Sequence, residues 1–410
     1  MPEAVIVATA RSPIGRAFKG SLKDVRPDDL TATIIRAALD KVPALDPAEI
    51  EDLMLGCGLP GGEQGFNLAR IVAVLLGFDH LPGVTLTRYC SSSLQTSRMA
   101  LHAIKAGEGD VFISAGVEMV SRYVKGNSDT LPDTQNPLFA DARDRTAAIA
   151  DTGSDSWTDP REGGRLPDAY IAMGQTAENL ARLKDITREE MDAFAVRSQN
   201  LAEKATANGF WEREITPVTR PDGTVVSSDD SPRPGVTTEA VRELKPVFRP
   251  DGRITAGNCC PLNDGAAAVI IMSDTKAAEL GLMPLARIVS TGVTGLSPEI
   301  MGLGPVAASE QALKRAGMSI GDMDLIEINE AFAAQVIPSY RDLGLSEEDA
   351  DAKLNVHGGA IAIGHPFGMT GARITGTLLN GLQTRDATFG LETMCVGGGQ
   401  GMAMVLERLS

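Results

Sequence analysis

The sequence predicts a layered α/β protein built from two similar halves. Short apolar runs rich in β-branched residues alternate with segments of helical periodicity, which is typical of α/β layering. The order of these elements in the first 121 residues is repeated after residue 281, and a polar, turn-rich stretch lies between the two parts. Apolar residues make up 43% of the 410 residues and charged residues 22%, as expected of a folded chain of two or three domains.

The first half is assigned to residues 1–121 and 256–280. Its elements follow from local patterns: alternating or continuous apolar runs predict strands, and an apolar stripe at helical spacing predicts helices. The predicted strands are 3–10, 51–58, 83–90 and 110–118, and the predicted helices are 28–42 and 93–107.

The second half, 281–410, repeats this order. ARIVSTGV at 286–293 corresponds to the first strand, and VAASEQALKRAGM at 306–318 corresponds to the first helix. The remaining correspondences are DMDLIEINEAF at 322–332, LNVHGGAIAIGHP at 354–366 with the helix at 371–382, and TMCVGGGQGMAMVLE at 393–407. A duplicated α/β unit accounts for this order, although short apolar strands also match one another by chance.

Residues 122–255 are interpreted as a lobe inserted over the core. The stretch contains several Gly-, Pro- and Asp-rich turns, and long connections in compact domains are usually functional or disordered. One clear helix is predicted at 187–209, where Thr187 and Glu190 have the spacing of a capping box.

Charge and cysteine usage exclude several classes of protein. The 38 Lys and Arg residues against 54 Asp and Glu give a net charge of −16 without a basic patch, which argues against nucleic-acid binding. Five cysteines without regular spacing argue against a disulfide framework, so a reducing compartment is expected. The start of the chain lacks a signal-peptide layout, and its apolar runs are too short to span a membrane. We therefore expect a cytoplasmic protein with no membrane partner and no metal.

Cys90 is the first candidate for chemistry. It lies between the strand-like VTLTRY and the helix that opens with SSSLQTS, and a helix N-terminus favours a thiolate. A buried structural cysteine is the alternative reading of the same position.

Two glycine-rich segments are the other candidates. GGAIAIGHPFGMTGAR at 358–373 places His365 directly before Pro366, and a helix start favours a neutral imidazole that can act as a base. It lacks the lysine of a phosphate-binding P-loop, and a helix-packing run is the alternative. In MCVGGGQG at 394–401, Cys395 ends a strand and bare backbone follows, which can stabilise an oxyanion or form a simple hairpin turn.

Taken together, these motifs resemble the thiolase family. The resemblance covers essentially the whole chain and rests on Cys90 and on the motifs TAGNCCPLNDGAAAVI at 255–270, NEAFAAQ at 329–335, GGAIAIGHPFGMTGAR and CVGGGQGMAM. It implies two similar halves in an α/β/α/β/α layered fold, a loop domain inserted in the first half, and a homodimer or homotetramer. It also implies CoA-dependent cleavage of a 3-oxoacyl-CoA, or the reverse Claisen condensation, with no permanently bound cofactor.

The resemblance also implies residue roles. Cys90 matches the acylated nucleophile, His365 the base that activates it, and Cys395 the cysteine that moves a proton at the α-carbon. Asn329 matches the residue that holds an oxyanion-hole water beside the histidine, and Gly397 forms the second hole with the amide of Cys90. Positions that match contacts to coenzyme A or to the acyl group are Arg233, Ala256, Cys260, Leu262, Ala331, Phe332 and Met173.

A local basic cluster in the insertion suits an anionic co-substrate. Its members are Arg220, Arg233, Arg242, Lys245, Arg249 and Arg253. Their shared charge supports the interpretation of 122–255 as the lobe that binds coenzyme A.

Three departures from the family pattern leave questions open. YCSSSLQ replaces the common Cys-Gly-Ser-Gly and places serines beside the expected acyl pocket. Cys260 stands where a serine is usual, next to Cys259, and His357 replaces a frequent asparagine. The acyl chain length, a steroid side chain as substrate, the direction of the reaction, and the roles of His357 and Cys259 are not determined by the sequence.

Two other functions fit the same pattern. A ketoacyl-synthase-like condensing enzyme shares a duplicated fold and a nucleophilic cysteine, but it uses His/His or His/Asn partners where this chain has Cys395. A non-catalytic acyl-CoA or lipid carrier is the third hypothesis, and the intact catalytic motifs argue against it.

Overall fold

A computed structural model describes residues 2–126, 133–153 and 156–410. The strands are β1 (Ala4–Arg11), β2 (Gly15–Arg16), β3 (Asp52–Cys57), β4 (Gly83–Leu86), β5 (Val111–Met119), β6 (Val218–Thr219), β7 (Val225–Val226), β8 (Asn263–Ser273), β9 (Ala286–Gly295), β10 (Leu325–Ile328), β11 (Phe389–Val396) and β12 (Gln400–Arg408). The helices are α1 (Pro27–Leu39), α2 (Leu68–Leu75), α3 (Ser92–Ala106), α4 (Ala140–Thr152), α5 (Met173–Leu183), α6 (Arg188–Ala207), α7 (Thr238–Arg242), α8 (Asp274–Glu279), α9 (Gly304–Ala316), α10 (Ala333–Asp342), α11 (Glu347–Lys353), α12 (Ala360–Ile363) and α13 (Thr370–Thr384).

The strand order shows the duplication directly. The sheet runs β10-β11-β12-β9-β1-β8-β5-β3-β4, so the order β9, β12, β11, β10 mirrors the order β1, β8, β5, β3. The two halves join where β1 and β9 pair antiparallel, with Val5 opposite Arg287 and Ile6 opposite Ala286. The α/β class and the repeat predicted from the sequence are confirmed.

One predicted correspondence is weaker than expected. The counterpart of β4 in the second half is reduced to a single parallel bridge between Leu354 and Ile326. Asn355 follows with a φ of 44°, in the left-handed region, so the chain turns away before a strand can extend.

Alternating side chains build the layers. On β1, Ala4 and Ile6 belong to one apolar cluster, whereas Val5 and Val7 belong to another on the opposite face. Helices α3 and α13 pack on each other between the two parts of the sheet, while α1 and α9 cover the outer faces. Because both faces of the central strands are covered, β8 is buried along its whole length and reads as a continuous apolar run.

The described elements between β5 and β8 form the insertion. They include α4 to α7 and the β6–β7 hairpin, and α5 and α6 pack on α10 of the second half. The predicted capping box is confirmed at the start of α6, where Thr187 Oγ1 accepts from the amide of Glu190 and Glu190 accepts from the amide of Thr187. The domain boundaries at 121, 255 and 280 stay a prediction.

Replacing Gly371 by alanine is expected to destabilise the protein strongly. The added Cβ would overlap the backbone nitrogen of Leu94, because α13 and α3 approach most closely at this point. Backbone on a packed helix cannot move alone, so we expect a loss of about 2–3 kcal/mol in the free energy of unfolding. The midpoint of denaturant unfolding measures this loss.

Gly376→Ala is the matched control on the same helix. Its nearest neighbour would be Thr9 Oγ1 at 3.6 Å, an ordinary contact. Alanine stabilises a helix relative to glycine by about 1 kcal/mol, so unfolding should occur at an equal or higher denaturant concentration. Equal destabilisation by both substitutions would contradict the close approach of α3 and α13.

Candidate active site

Cys90 lies in the turn that joins β4 to α3. Residues Tyr89–Ser91 form one turn of 3₁₀ helix, and α3 begins at Ser92, as the strand-to-helix junction predicted. Tyr89 has a φ of 43°, a left-handed conformation that is uncommon for a large residue and that sharpens this turn. Cys90 is 9% exposed and reaches the wall of a cavity of about 390 Å³.

The serines after Cys90 are structural. Ser92 Oγ donates to the carbonyl of Tyr89 at 2.7 Å and accepts from the amide of Arg88. Ser93 Oγ accepts from the amide of Ala372 at 2.8 Å and ties α3 to α13. The sequence placed these serines beside the acyl pocket, but none of residues 91–93 is among those that line the cavity, because the helix turns their side chains into the interior.

The helix N-terminus that follows Cys90 does not by itself make the thiolate its resting form. Burial raises the pKa of the Cys90 thiol to about 12, and the nearby Glu118 carboxylate also raises it. The backbone N–H groups of Gly397 and of Cys90 itself face the sulfur and lower this pKa, but they do not offset desolvation. Cys90 therefore rests as a thiol and needs a base in order to react.

Cys395 and Cys260 lie close to Cys90. Cys395 is near the end of β11 and is fully buried. Burial raises the pKa values of both Cys395 and Cys260, and the charged form of Cys90 raises each of them further, as expected of neighbouring thiols. All five cysteines are free, and the adjacent Cys259 and Cys260 are not bridged.

The three glycines after Cys395 form the turn between β11 and β12. Gly398 and Gly399 have φ values of 76° and 80°, which only glycine adopts readily. The two readings of this segment are therefore compatible: it is a hairpin turn, and it also directs the Gly397 amide at the sulfur of Cys90.

His365 and Asn329 form a buried pair. His365 lies two residues before the 3₁₀ turn Phe367–Met369, which packs on the turn Tyr89–Ser91, and Asn329 directly follows β10. Asn329 Nδ2 lies 3.3 Å from His365 Nε2, and the buried Asn329 Oδ1 has no hydrogen-bond partner. An unpaired buried amide oxygen is a site for a water or a substrate group.

Burial lowers the pKa of His365 to about 3, and the positive charge of Arg373 lowers it further. The imidazole is therefore neutral, as the sequence predicted, although burial and not a helix start is the main cause. Thr370 Oγ1 donates to the carbonyl of Pro366 at 2.7 Å and lies 2.6 Å from His365 Nδ1. Since the hydroxyl proton is already used, Nδ1 carries the ring proton and Nε2 is left as the basic nitrogen.

His357 lies away from this pair. Its ring stacks on Phe210 with centroids 3.7 Å apart, and desolvation lowers its pKa to about 4. It has no hydrogen bond to His365 among those of the described residues, so its role is packing between α13 and the segment after α6.

Glu118 is a site residue that the sequence analysis missed. Its carboxylate is fully buried and accepts hydrogen bonds from the amides of Gly58 and Gly368, from Gln64 and from Tyr123. It therefore fixes the loop after β3 and the turn after His365, which both border the cavity. Its partners come from separate segments of the chain, so no local signal marks it.

The cavity beside Cys90 is bounded by the two halves and the insertion. Its lining includes the predicted residues Cys90, Gly397 and Met173. The other lining residues are Gly58, Leu59, Tyr89, Thr134, Gln135, Ala169, Tyr170, Ile171, Ala172, Phe367 and Gly398.

A second cavity, of about 330 Å³, is lined by two of the residues predicted to contact coenzyme A. Arg233 and Ala256 line it, together with Cys259 and with Arg16, which the sequence analysis missed. The amide of Arg233 donates to Gln199 Oε1 at 3.1 Å, which holds this loop on α6.

The other predicted contact residues lie around these cavities. Ala331 and Phe332 are buried in the apolar cluster of the second half, whereas Leu262 is 52% exposed. Cys260 donates its amide to the carbonyl of Ala331, and Cys259 forms a bridge to Phe332, so the two segments are held side by side.

The basic cluster predicted in the insertion is largely dispersed. Arg249 is buried and bonds to Gln175 and Asn179, and Arg253 donates to the carbonyls of Ala181 and Ile186. Arg220 pairs with Asp24. These side chains have structural partners that are distant in sequence, and of the six only Arg233 lines the second cavity.

Within residues 2–126, 133–153 and 156–410, no helix is long and apolar enough to cross a membrane. No group of three or more His, Cys, Asp or Glu side chains within them is arranged to hold a metal ion.

The fold and the residues around Cys90 define a class of enzyme. Two fused α/β halves bring a cysteine thiol, backbone N–H donors and a neutral histidine to one buried region at a cavity, which is the equipment for acyl transfer through a thioester.

Comparison with known proteins gives the family. The chain matches the family descriptions "Thiolase, N-terminal domain" over residues 4–275 and "Thiolase, C-terminal domain" over residues 282–408. It is 43% identical to a 3-ketoacyl-CoA thiolase of Saccharophagus degradans, covering 99% of this chain and 98% of that protein. It is 44% identical to the 3-oxoadipyl-CoA/3-oxo-5,6-dehydrosuberyl-CoA thiolase of Escherichia coli K12, covering 100% of both.

A solved structure gives the same result. The crystal structure of the Bacillus anthracis acetyl-CoA acetyltransferase superposes with a TM-score of 0.84 at 37% identity, covering 100% of this chain and 99% of that one. The chain belongs to the thiolase family. Its thiolase fold and its acyltransferase class, both expected from the sequence, are confirmed.

Proposed function

We propose that the chain is a CoA-dependent 3-oxoacyl-CoA thiolase in which Cys90 carries the acyl group. The observation that carries this proposal is the environment of Cys90: its thiol is at the cavity wall, and the Gly397 and Cys90 amides point at its sulfur. The thiolase names of full-length relatives support the same reaction. Coenzyme A is a co-substrate, and no permanently bound cofactor is proposed.

The first step transfers the Cys90 proton to His365. The Nε2 atom of His365 takes the proton as the sulfur attacks the 3-keto carbon of the substrate. Coupling the two events avoids a free buried thiolate, which the raised pKa of Cys90 makes costly. The product is a tetrahedral adduct on Cys90.

The second step breaks the bond between C2 and C3. The acyl group stays on Cys90 as a thioester, and the electron pair passes to the acetyl-CoA enolate. Protonated His365 and a water held by Asn329 stabilise the enolate oxygen, because Asn329 lies beside Nε2 and has a free buried oxygen. Cys395 donates its proton to C2 and so releases acetyl-CoA.

The third step consumes coenzyme A. Its thiol proton restores Cys395, and its sulfur attacks the acyl-Cys90 thioester. The amides of Gly397 and Cys90 stabilise the tetrahedral oxyanion, and His365 returns its proton to the departing Cys90 sulfur. The reverse sequence condenses two acyl-CoA molecules.

We assign the second cavity to coenzyme A. Arg16 and Arg233 supply positive charge there for the phosphates. The same cavity is lined by Ala256, Cys259 and Pro261, and the last two are the chain neighbours of Cys260. Cys260 is close to Cys90, which links this cavity to the reacting thiol. Leu262, Ala331 and Phe332 flank this path in our proposal.

Thiolysis of a graded series of 3-oxoacyl-CoA substrates tests the function. We expect acetyl-CoA and a shortened acyl-CoA only when coenzyme A is present. Cleavage without coenzyme A, or no cleavage at any chain length, would overturn the proposal. A substrate without the 3-oxo group is the matched control, since it has no carbonyl carbon at C3 for the Cys90 sulfur to attack.

The pH profile of kcat/KM is expected to be flat from about pH 5 to about pH 9 in the acylation step. His365 has a pKa of about 3 and Cys90 of about 12, so above the first and below the second both groups keep the neutral forms that react. Activity should fall as His365 protonates in acid, because it can then no longer accept the Cys90 proton. An inflection near pH 7 in the rate of Cys90 acylation would instead indicate a preformed thiolate–imidazolium pair.

Location and assembly remain predictions. The cytoplasmic location and the homodimer or homotetramer are expectations from the sequence. Sedimentation of the purified protein measures its oligomeric state directly.

A further inference from the structure

The cavity beside Cys90 has neutral walls. Its larger apolar side chains are Leu59, Ile171, Met173 and Phe367, and its polar side chains are Tyr89, Thr134, Gln135 and Tyr170. Within the described part of the chain, no Lys, Arg, His, Asp or Glu side chain lines this cavity. Residues 127–132 and 154–155 contain no Lys, Arg or His in the sequence either.

The charged group directly behind one wall of this cavity is a carboxylate. The Glu118 carboxylate lies directly behind the lining residues Gly58 and Leu59 and accepts from both of their amides. Arg88, next to Tyr89, is outside the cavity lining, and its guanidinium is held by the side-chain oxygens of Gln95 and Gln400. An acyl carboxylate in this cavity would therefore lie near the Glu118 carboxylate and would find no guanidinium or ammonium group among the lining side chains.

We propose that this cavity selects a neutral, apolar acyl chain and rejects an acyl chain that ends in a carboxylate. The inference rests on the proposed function and adds the substrate class to it. Transfer of a carboxylate from water to a site without a cation is far more costly than transfer of a methyl group, which gains free energy on burial. The neutral polar side chains that line the cavity can form hydrogen bonds but do not replace a counter-ion.

The test compares two substrates with the same carbon chain. We expect kcat/KM for thiolysis of 3-oxohexanoyl-CoA to exceed that of 3-oxoadipyl-CoA on the order of 100-fold, because only the second ends in a carboxylate. Equal values, or a preference for 3-oxoadipyl-CoA, would overturn the inference and leave the thiolase function intact. No cleavage of either substrate or of any longer chain would overturn the function itself and the inference with it.

Met173 offers a gain-of-function test. It is the first residue of α5 and lines the cavity. Met173→Lys brings a flexible cation to the wall, and we expect it to shift the ratio of the two kcat/KM values at least about tenfold toward 3-oxoadipyl-CoA. Met173→Leu removes the same thioether without adding charge and should leave the ratio unchanged. Equal ratios in both variants would show that the acyl end does not reach this wall and would overturn the assignment of the cavity.

Discussion

Cys90→Ser is expected to lower the rate of thiolysis by about 10⁴-fold or more. Loss of the nucleophile removes the covalent intermediate, and losses of this size follow the removal of nucleophiles in other acyl-transfer enzymes. Serine is a poorer nucleophile here, because its hydroxyl has an even higher pKa than the buried thiol. The fold should be unaffected, since serine replaces cysteine with a side chain of similar size.

Intact mass after incubation with acetyl-CoA measures this result independently of turnover. The unmodified chain should gain one acetyl group, and Cys90→Ser should gain none. Cys57→Ser is the matched control, because Cys57 is a buried cysteine outside the cavity lining, with its thiol 3.8 Å from Glu118 Oε1. An acetyl group that persists on Cys90→Ser would place the intermediate on another residue.

Cys395→Ala is expected to separate acylation from carbon–carbon bond cleavage. Without Cys395, no side chain donates a proton to the enolate. Because general acid catalysis accelerates such a step by about 10³-fold, the rate of thiolysis should fall by about that factor. Acetylation of Cys90 by acetyl-CoA involves no carbon acid and should proceed at close to its usual rate. The two rates are measured by coupled thiolysis assay and by time-resolved intact mass.

The pattern across variants distinguishes the two cysteines. Cys90→Ser should lose both reactions, Cys395→Ala only cleavage, and Cys57→Ser neither. If Cys395→Ala lost acetylation to the same extent as cleavage, the variant would have disturbed the Cys90 region as a whole. The role of Cys395 as a proton donor would then be wrong.

Much of the fold was predictable because its signals are local. Apolar alternation on β1 and the capping box of α6 depend on residues within a few positions of each other, and both are found as expected. The duplication was readable for the same reason, since each half repeats the same local order. At Leu354 a single bridge replaces the expected strand, because the chain turns in a left-handed conformation at Asn355. The amino-acid composition of this segment does not predict that turn.

The electrostatic predictions were less successful. The thiolate expected at Cys90 does not form at rest, because desolvation outweighs the two amides that point at the sulfur. The basic cluster of the insertion was expected to bind coenzyme A. Instead, Arg249 and Arg253 form hydrogen bonds with residues about 70 positions away in the sequence.

Long motifs and local periodicity are enough to identify the family, the layered fold and the short list of reacting side chains. The protonation states of Cys90 and His365, the part played by Glu118 and the neutral lining of the acyl cavity follow from the folded chain alone. These properties depend on how completely water is excluded and on which distant groups face one another. Both are set by packing across the two halves, which no stretch of sequence contains.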